Sequence, residues 1–235
     1  LREYPDGLYA ESSAWRAGWG EYRARRFAAA AHIWERTARL RPPGSATPGR
    51  LYWAARSHLA LGRHDRTRWL LEETVQRFKH TYHGMRARQQ LGRLGLPAPP
   101  LPAAAPREAT TAGSDPVGAR ASRLRELLLI DRFGEAAAEL RLMGPSPRVR
   151  ATLGWVEWRR GRFRPAIDII KRVFPHWVSA AGDQLPDEVW RILYPLRYED
   201  ELRRKAKGQG LDPALVAGLI LQESSFDAAA HSRAW

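Results

Sequence analysis

Arg26-Phe27-Ala28-Ala29-Ala30, Arg132-Phe133-Gly134-Glu135-Ala136 and Arg162-Phe163-Arg164-Pro165-Ala166 repeat one element, Arg-Phe-x-x-Ala. In each copy an aromatic residue opens a helix, and small residues follow where a second helix can cross closely. The last copy is flanked by Gly154, Trp155 and Gly161, and its unit ends in Phe174-Pro175. A fourth, less regular unit runs from Leu51-Tyr52-Trp53 through Leu61-Gly62-Arg63 to Phe78. Strand signals are missing: no convincing run alternates apolar and polar residues. The pattern predicts an all-α chain of helical hairpins, each burying its apolar face on its neighbours.

The first unit places Trp15, Tyr22, Ala31 and Ala38 at tetratricopeptide-like spacings and ends in Pro42-Pro43. A superhelical solenoid is therefore expected. Two segments interrupt it. Residues 41–50 are short and rich in Pro, Gly and Ser, which predicts a loop between hairpins. Residues 97–118 carry Pro97, Pro99, Pro100, Pro102, Pro106 and Pro116 among Ala and Thr. That density of proline removes helix donors and predicts an extended link between two helical layers. The expected organisation is helical repeats over 1–96, a Pro/Ala-rich linker over 97–118, repeats over 119–183, and a distinct segment over 184–235. The stretch 174–186 is read as leading out of the repeats.

The chain has 235 residues, 44% of them hydrophobic, with 10 Trp, enough for a real core. No run is long enough to span a bilayer. Leu1-Arg2-Glu3-Tyr4 is no signal pattern, and the N-terminus reads as already processed or cut. The absence of Cys excludes disulfides, thiol catalysis and Cys-based zinc sites. The formal charge of +14 raises the question of nucleic acid. Only Lys79, Lys171, Lys205 and Lys207 are lysines, however, and the Arg are spread over all the helices. Solvated helix faces are expected, and no nucleic-acid partner. Attraction to an anionic polymer, such as a cell wall with carboxylate-bearing stem peptides, is a second use of that charge.

One segment reads as chemistry: Gly210-Leu211-Asp212-Pro213-Ala214-Leu215-Val216-Ala217-Gly218-Leu219-Ile220-Leu221-Gln222-Glu223-Ser224-Ser225-Phe226. Asp212 suits a helix cap, and Pro213 at the first helical position loses no hydrogen bond. Helical spacing puts Val216, Leu219, Ile220 and Phe226 along one face, with Glu223 among them. A carboxylate in an apolar stripe is costly unless neutral or paired. Burial raises a carboxyl pKa, which makes such a Glu a general acid near neutral pH.

This run resembles the catalytic-helix motif of the soluble lytic murein transglycosylases, whose catalytic domain is similar to goose-type lysozyme. In that family a helix ends in Glu-Ser, followed by an apolar residue and a Ser-x-Ala-Gly segment. Here Gln222-Glu223-Ser224-Ser225-Phe226 and then Ser232-Arg233-Ala234 match it. Leu185-Pro186, Trp190 and Tyr194-Pro195-Leu196 resemble the approach to that domain. At Trp235 the family usually has Gly, and the Gly-Leu-Met-Gln segment that should follow is not in the chain. The resemblance thus covers only the first helices of a lysozyme-like domain. It implies a lyase that cleaves the β-1,4 bond between N-acetylmuramic acid and N-acetylglucosamine in peptidoglycan and leaves a 1,6-anhydro sugar. Glu223 would be the catalytic residue, with Ser224 and Ser232 at the substrate. It implies glycan strands as partner, a periplasmic or cell-envelope location, and neither metal nor other cofactor. These residues alone are expected to show little activity.

Asp227 follows Glu223 by four residues. Two-carboxylate glycosidases hold their groups on opposite sides of the bond, so Asp227 reads as a helix-end or loop residue. His80 and His83 are three apart but show no metal pattern; Tyr82-His83-Gly84 reads as a hairpin element. Trp15, Trp19, Trp34, Trp53 and Trp155 read as core. A second reading, of a different class, is a non-catalytic helical-repeat module that binds protein or glycan.

Overall fold

Each Arg-Phe element is a helix start, and each is preceded by the same turn. The computed structural model describes residues 10–39, 46–97, 99–100 and 119–231. Arg25, Gly62, Asp131 and Gly161 adopt left-handed φ values of 57–74°. The next residue, always Arg, donates its backbone N–H five residues back. The bonds are Arg26 to Glu21 (2.9 Å), Arg63 to His58 (3.0 Å), Arg132 to Leu127 (2.8 Å) and Arg162 to Glu157 (2.9 Å). A left-handed residue with this back-bond closes a helix end by satisfying its orphan carbonyls. The chain reverses within three residues, and the next helix opens on the aromatic side chain, or on His64 in the irregular unit.

The described residues form twelve α-helices and two 3-10 turns, with no strand. No described helix is long and apolar enough to cross a membrane. Two compact units result. The first comprises Leu1–Ala105 and His176–Gln184, and the second Pro106–Pro175 and Leu185–Trp235.

The first unit holds α1 (Ala10–Arg23), α2 (Phe27–Ala38), α3 (Thr47–Ala60), α4 (His64–Phe78) and α5 (Tyr82–Arg93). Each packs on the next in sequence, and α3 also meets α5. Ala30 and Ala31 are buried as expected, and Trp34 is fully enclosed. Around Trp34 stand Trp15, Trp19, Tyr22 and Trp53, with ring centroids 5.9–6.4 Å from it. Edge-on and tilted aromatic pairs of this kind add to area burial. Gly18 of α1 lies against the Trp34 indole; a Cβ there would sit 2.2 Å from Nε1. These Trp are core residues.

Residues 47–50 correct the loop expected over 41–50: they are the first turn of α3, opened by Pro48 near its start. Arg50 is fully buried and donates Nη1 to the Thr37 carbonyl at the end of α2, 3.2 Å away. The composition of the stretch is loop-like, but a cation at a helix C-terminus favours the closed arrangement. Residues 41–45 lie outside the described residues, as do 98 and 101–118 of the proline-rich stretch.

The first unit also includes a segment distant in sequence. The 3-10 turns Pro175–Val178 and Ala180–Gln184 lead the chain to the end of α4. There His80 donates its backbone N–H to Val178 O at 3.0 Å, and Asp183 pairs with Lys79 and with His80, the latter at 2.8 Å. Burial pushes the Asp183 carboxyl up, but the hydrogen bonds from Lys79 and His80 outweigh it and hold the group below its usual range. His83 packs edge-on to Trp15 and near Tyr52. Burial, aided by Arg86, lowers its pKa.

The second unit holds α6 (Ala119–Leu129), α7 (Phe133–Leu142), α8 (Pro147–Arg159) and α9 (Phe163–Val173), then α10 (Asp187–Leu193), α11 (Glu199–Gly208) and α12 (Pro213–Ser224). Leu124, Ala136, Ala137, Leu140, Val149 and Val156 form one core cluster, with Phe133 and Trp155 packed against it. Gly154 lets α9 approach α8, since a Cβ would meet Ile170 at 2.9 Å. Glu157 is 1% exposed yet charged groups surround it: Arg141, Arg160 (3.2 Å) and Arg162 (3.3 Å). Burial of a carboxylate is tolerated only with such partners.

Candidate active site

The segment singled out from sequence forms α12 and the turn after it. The helix starts as expected. Asp212 is the N-cap, its Oδ1 accepting from Ala214 N at 2.8 Å, with Pro213 in the first turn. Ala217 is buried, and Val216 and Ile220 are half-buried. Together with Ser224 they face α11, where Leu202 and Ala206 lie at helical spacing. A groove of about 440 Å³ runs between the two helices. Its walls include Tyr198, Leu202, Ile220, Ser224 and Phe226, with Glu201 and Lys205 at the charged edge.

The helix is rotated from the orientation read in its sequence. Leu219 was expected inside but is 60% exposed, and Leu215, one turn earlier, is 67% exposed. At roughly 100° per residue, a buried face centred on Ala217, Ile220 and Ser224 leaves Glu223 at its edge. Glu223 is accordingly exposed, and the apolar enclosure expected around it is not built by the described residues. The reason is that α11 contributes only Leu202 and Ala206, too narrow a surface to cover two rows of α12. Leu215, Leu219 and Glu223 form one open row, each four residues from the next.

The turn after the helix is unusual. Ser225 and Phe226 both have left-handed φ, 53° and 59°. Neither is Gly, and for a bulky residue this is a genuine outlier. Consecutive residues of this kind cost of order 1–3 kcal/mol each, and such strain clusters at functional sites. Here it folds Phe226 back, leaving it only 6% exposed. Phe226 therefore reaches the interior through the turn and not along the helix face.

Ser224 is half-buried, donates Oγ to Ile220 O at 3.3 Å and lines the groove. Ser232 lies outside the described residues. Asp227 is exposed and caps its own turn, accepting from Ala229 N at 2.9 Å. It is a loop residue, as its spacing indicated. Trp190 and Tyr194 stack at 5.9 Å and 17°, and partial burial raises the Tyr194 phenol. Among the described residues no group of three or more His, Asp or Glu is placed to hold a metal.

Sequence reasoning missed the opposite wall. Tyr198 opens α11 in a left-handed conformation, φ 60°, and the Arg197 guanidinium lies 4.9 Å from its ring centre and 5.7 Å from that of Phe163. The available signal was Leu202 and Ala206 at i,i+4, matching Val216 and Ile220 on the partner helix. No protein-family model matches the chain, and no curated protein is significantly similar to it in sequence.

Proposed function

We propose that this chain is part of a peptidoglycan lytic transglycosylase, with Glu223 its single catalytic acid and base. The observation that carries the reading is the placement of Glu223. It lies in the last turn of a capped helix, open to solvent, beside Ser224, which lines a groove, and two residues before a strained turn. The quoted run from Asp212 to Phe226 supplies the family resemblance.

In the proposed reaction the Glu223 carboxyl donates its proton to the glycosidic oxygen as the C1–O bond breaks. The carboxylate left behind takes the proton of the muramic C6 hydroxyl, and O6 closes on C1. Water is neither consumed nor released, and Glu223 ends protonated as it began. One carboxyl suffices, so Asp227 needs no chemical role. A glycan laid over the exposed Leu215 and Leu219 would exclude bulk water from the neighbouring carboxyl during the transfer. On this reading the helical pairs belong to a tetratricopeptide-like solenoid, and α10 to α12 open a lysozyme-like domain.

Muropeptide release from purified walls by the longest natural form of the protein tests this, with products identified by mass. Glu223→Gln removes donor and base together, so the loss is expected at or beyond the upper end of roughly 10²–10⁴-fold. Asp227→Asn is expected to cost little. Reducing-end muramic products, or an Asp227→Asn variant as inactive as Glu223→Gln, would refute the assignment. The exposure of Glu223 favours a second reading, a non-catalytic helical-repeat module. Glycan binding unchanged in Glu223→Gln, with no anhydro product from wild type, would select it.

A further inference from the structure

A cavity of about 480 Å³ in the first unit lies far along the sequence from Glu223, and the proposed reaction does not use it. Its lining includes His32, Glu35 and Arg36 of α2, Arg39 at the C-cap of that helix, His58 of α3 and Arg63 at the start of α4. Glu35 organises the floor. Its Oε1 meets His58 Nε2 at 2.6 Å, and its Oε2 accepts from Arg66. Burial pushes the Glu35 carboxyl up, but these hydrogen bonds outweigh it and hold the group below its usual range. The one negative charge of the cavity is therefore already matched.

The rim is not matched. Arg36, Arg39 and Arg63 are exposed, and no described carboxylate pairs with any of them. Arg63 is the exception among the four hairpin turns. Arg26 pairs with Glu21 and Arg162 with Glu157, each five residues back, and Arg132 pairs with Glu135 three residues on. At the same two places around Arg63 stand His58 and Arg66. The acid of the repeat is replaced by a histidine that turns to Glu35. Arg36 in the last turn of α2 and Arg39 at its C-cap add two like charges, three residues apart, at one helix end.

We propose that this cavity is a binding site for a small organic anion bearing two or more carboxylate or phosphate groups. Its volume falls in the range of small-molecule pockets. Three guanidinium forks present paired N–H donors suited to either oxyanion. The Glu35–His58–Arg66 cluster, with His58 buried and Glu35 and Arg66 half-buried, fixes the floor while the rim supplies the charge. The proposal is independent of the transglycosylase reading.

Calorimetric titration of the full chain at low ionic strength, with citrate in one arm and pyrophosphate in the other, tests it. One saturable site per chain is expected. Arg63→Gln should weaken it about fivefold and Arg36→Gln/Arg39→Gln/Arg63→Gln about fiftyfold or more, as loss of charge-assisted hydrogen bonds predicts. A control triple, Arg16→Gln/Arg88→Gln/Arg93→Gln, removes the same charge from exposed positions of the same unit and should change affinity less than about threefold, within what long-range screening allows. The rim residues are exposed, so helicity by circular dichroism should be unchanged in all variants. Tighter binding of citrate assigns carboxylates, and tighter pyrophosphate assigns phosphates. No saturable binding of either anion, or equal loss in the two triple variants, would overturn the proposal.

Discussion

Gly18→Ala and Gly20→Ala in α1 should move stability in opposite directions, although they differ by two positions on one helix. Either change gains up to about 1 kcal/mol from helix propensity and a less flexible unfolded chain. At Gly20 nothing lies within 4 Å of an added Cβ, so that gain should appear whole. At Gly18 the Cβ would sit 2.2 Å from Trp34 Nε1, 2.3 Å from Cε2 and 2.8 Å from Cδ1. Carbon contacts need about 3.5 Å, so the indole must retreat by more than 1 Å. Trp34 is fully buried and ringed by Trp15, Trp19, Tyr22 and Trp53, which leaves it nowhere to go. Overpacking of this kind costs about 1–3 kcal/mol, and a rigid ring belongs at the upper end. The net for Gly18→Ala is a loss of about 2 kcal/mol after the propensity gain. Urea unfolding followed by tryptophan fluorescence measures both, the displaced ring serving as the reporter. A Gly18→Ala protein as stable as wild type, or both variants shifting the same way, would show that the close approach of α1 to Trp34 is absent in solution.

Two further expectations concern charge and strain. Glu35 and Asp183 titrate below the usual carboxylate range in the folded chain. The stability each contributes is therefore present above its unfolded pKa, near pH 4, and is lost as pH falls through the folded value. Acid unfolding curves of Glu35→Gln and Asp183→Asn should each be shallower below about pH 5; a wild-type slope in both would refute the pairings. Ser225→Gly relieves a left-handed φ and should stabilise the second unit by about 1 kcal/mol, read by thermal unfolding. If the strained turn poises Glu223, the same change should lower wall cleavage, and unchanged cleavage would separate the turn from the chemistry.

The helices and most of their boundaries are written locally. Phe27, Phe133 and Phe163 begin α2, α7 and α9, because an aromatic after the Arg turn must enter the adjoining core. Asp212 and Pro213 start α12 because a cap and a fixed φ act within two residues. The burial of Ala30, Ala136 and Ala166 follows from the same spacing. What only the tertiary structure decided depends on partners remote in sequence. The return of residues 176–184 to the end of α4 rests on Asp183 meeting Lys79 and His80, more than a hundred residues earlier, and no local pattern announces it. The face of α12 that is buried was set by the width of α11, which left both Leu219 and Glu223 exposed. The left-handed pair Ser225-Phe226 carries no glycine to signal it; burial of the Phe226 ring holds the backbone where its own preference would not. The unmatched charge of Arg63 is visible only when the four turns are superposed in three dimensions, since a histidine in place of a glutamate is unremarkable until its ring is seen to point at Glu35.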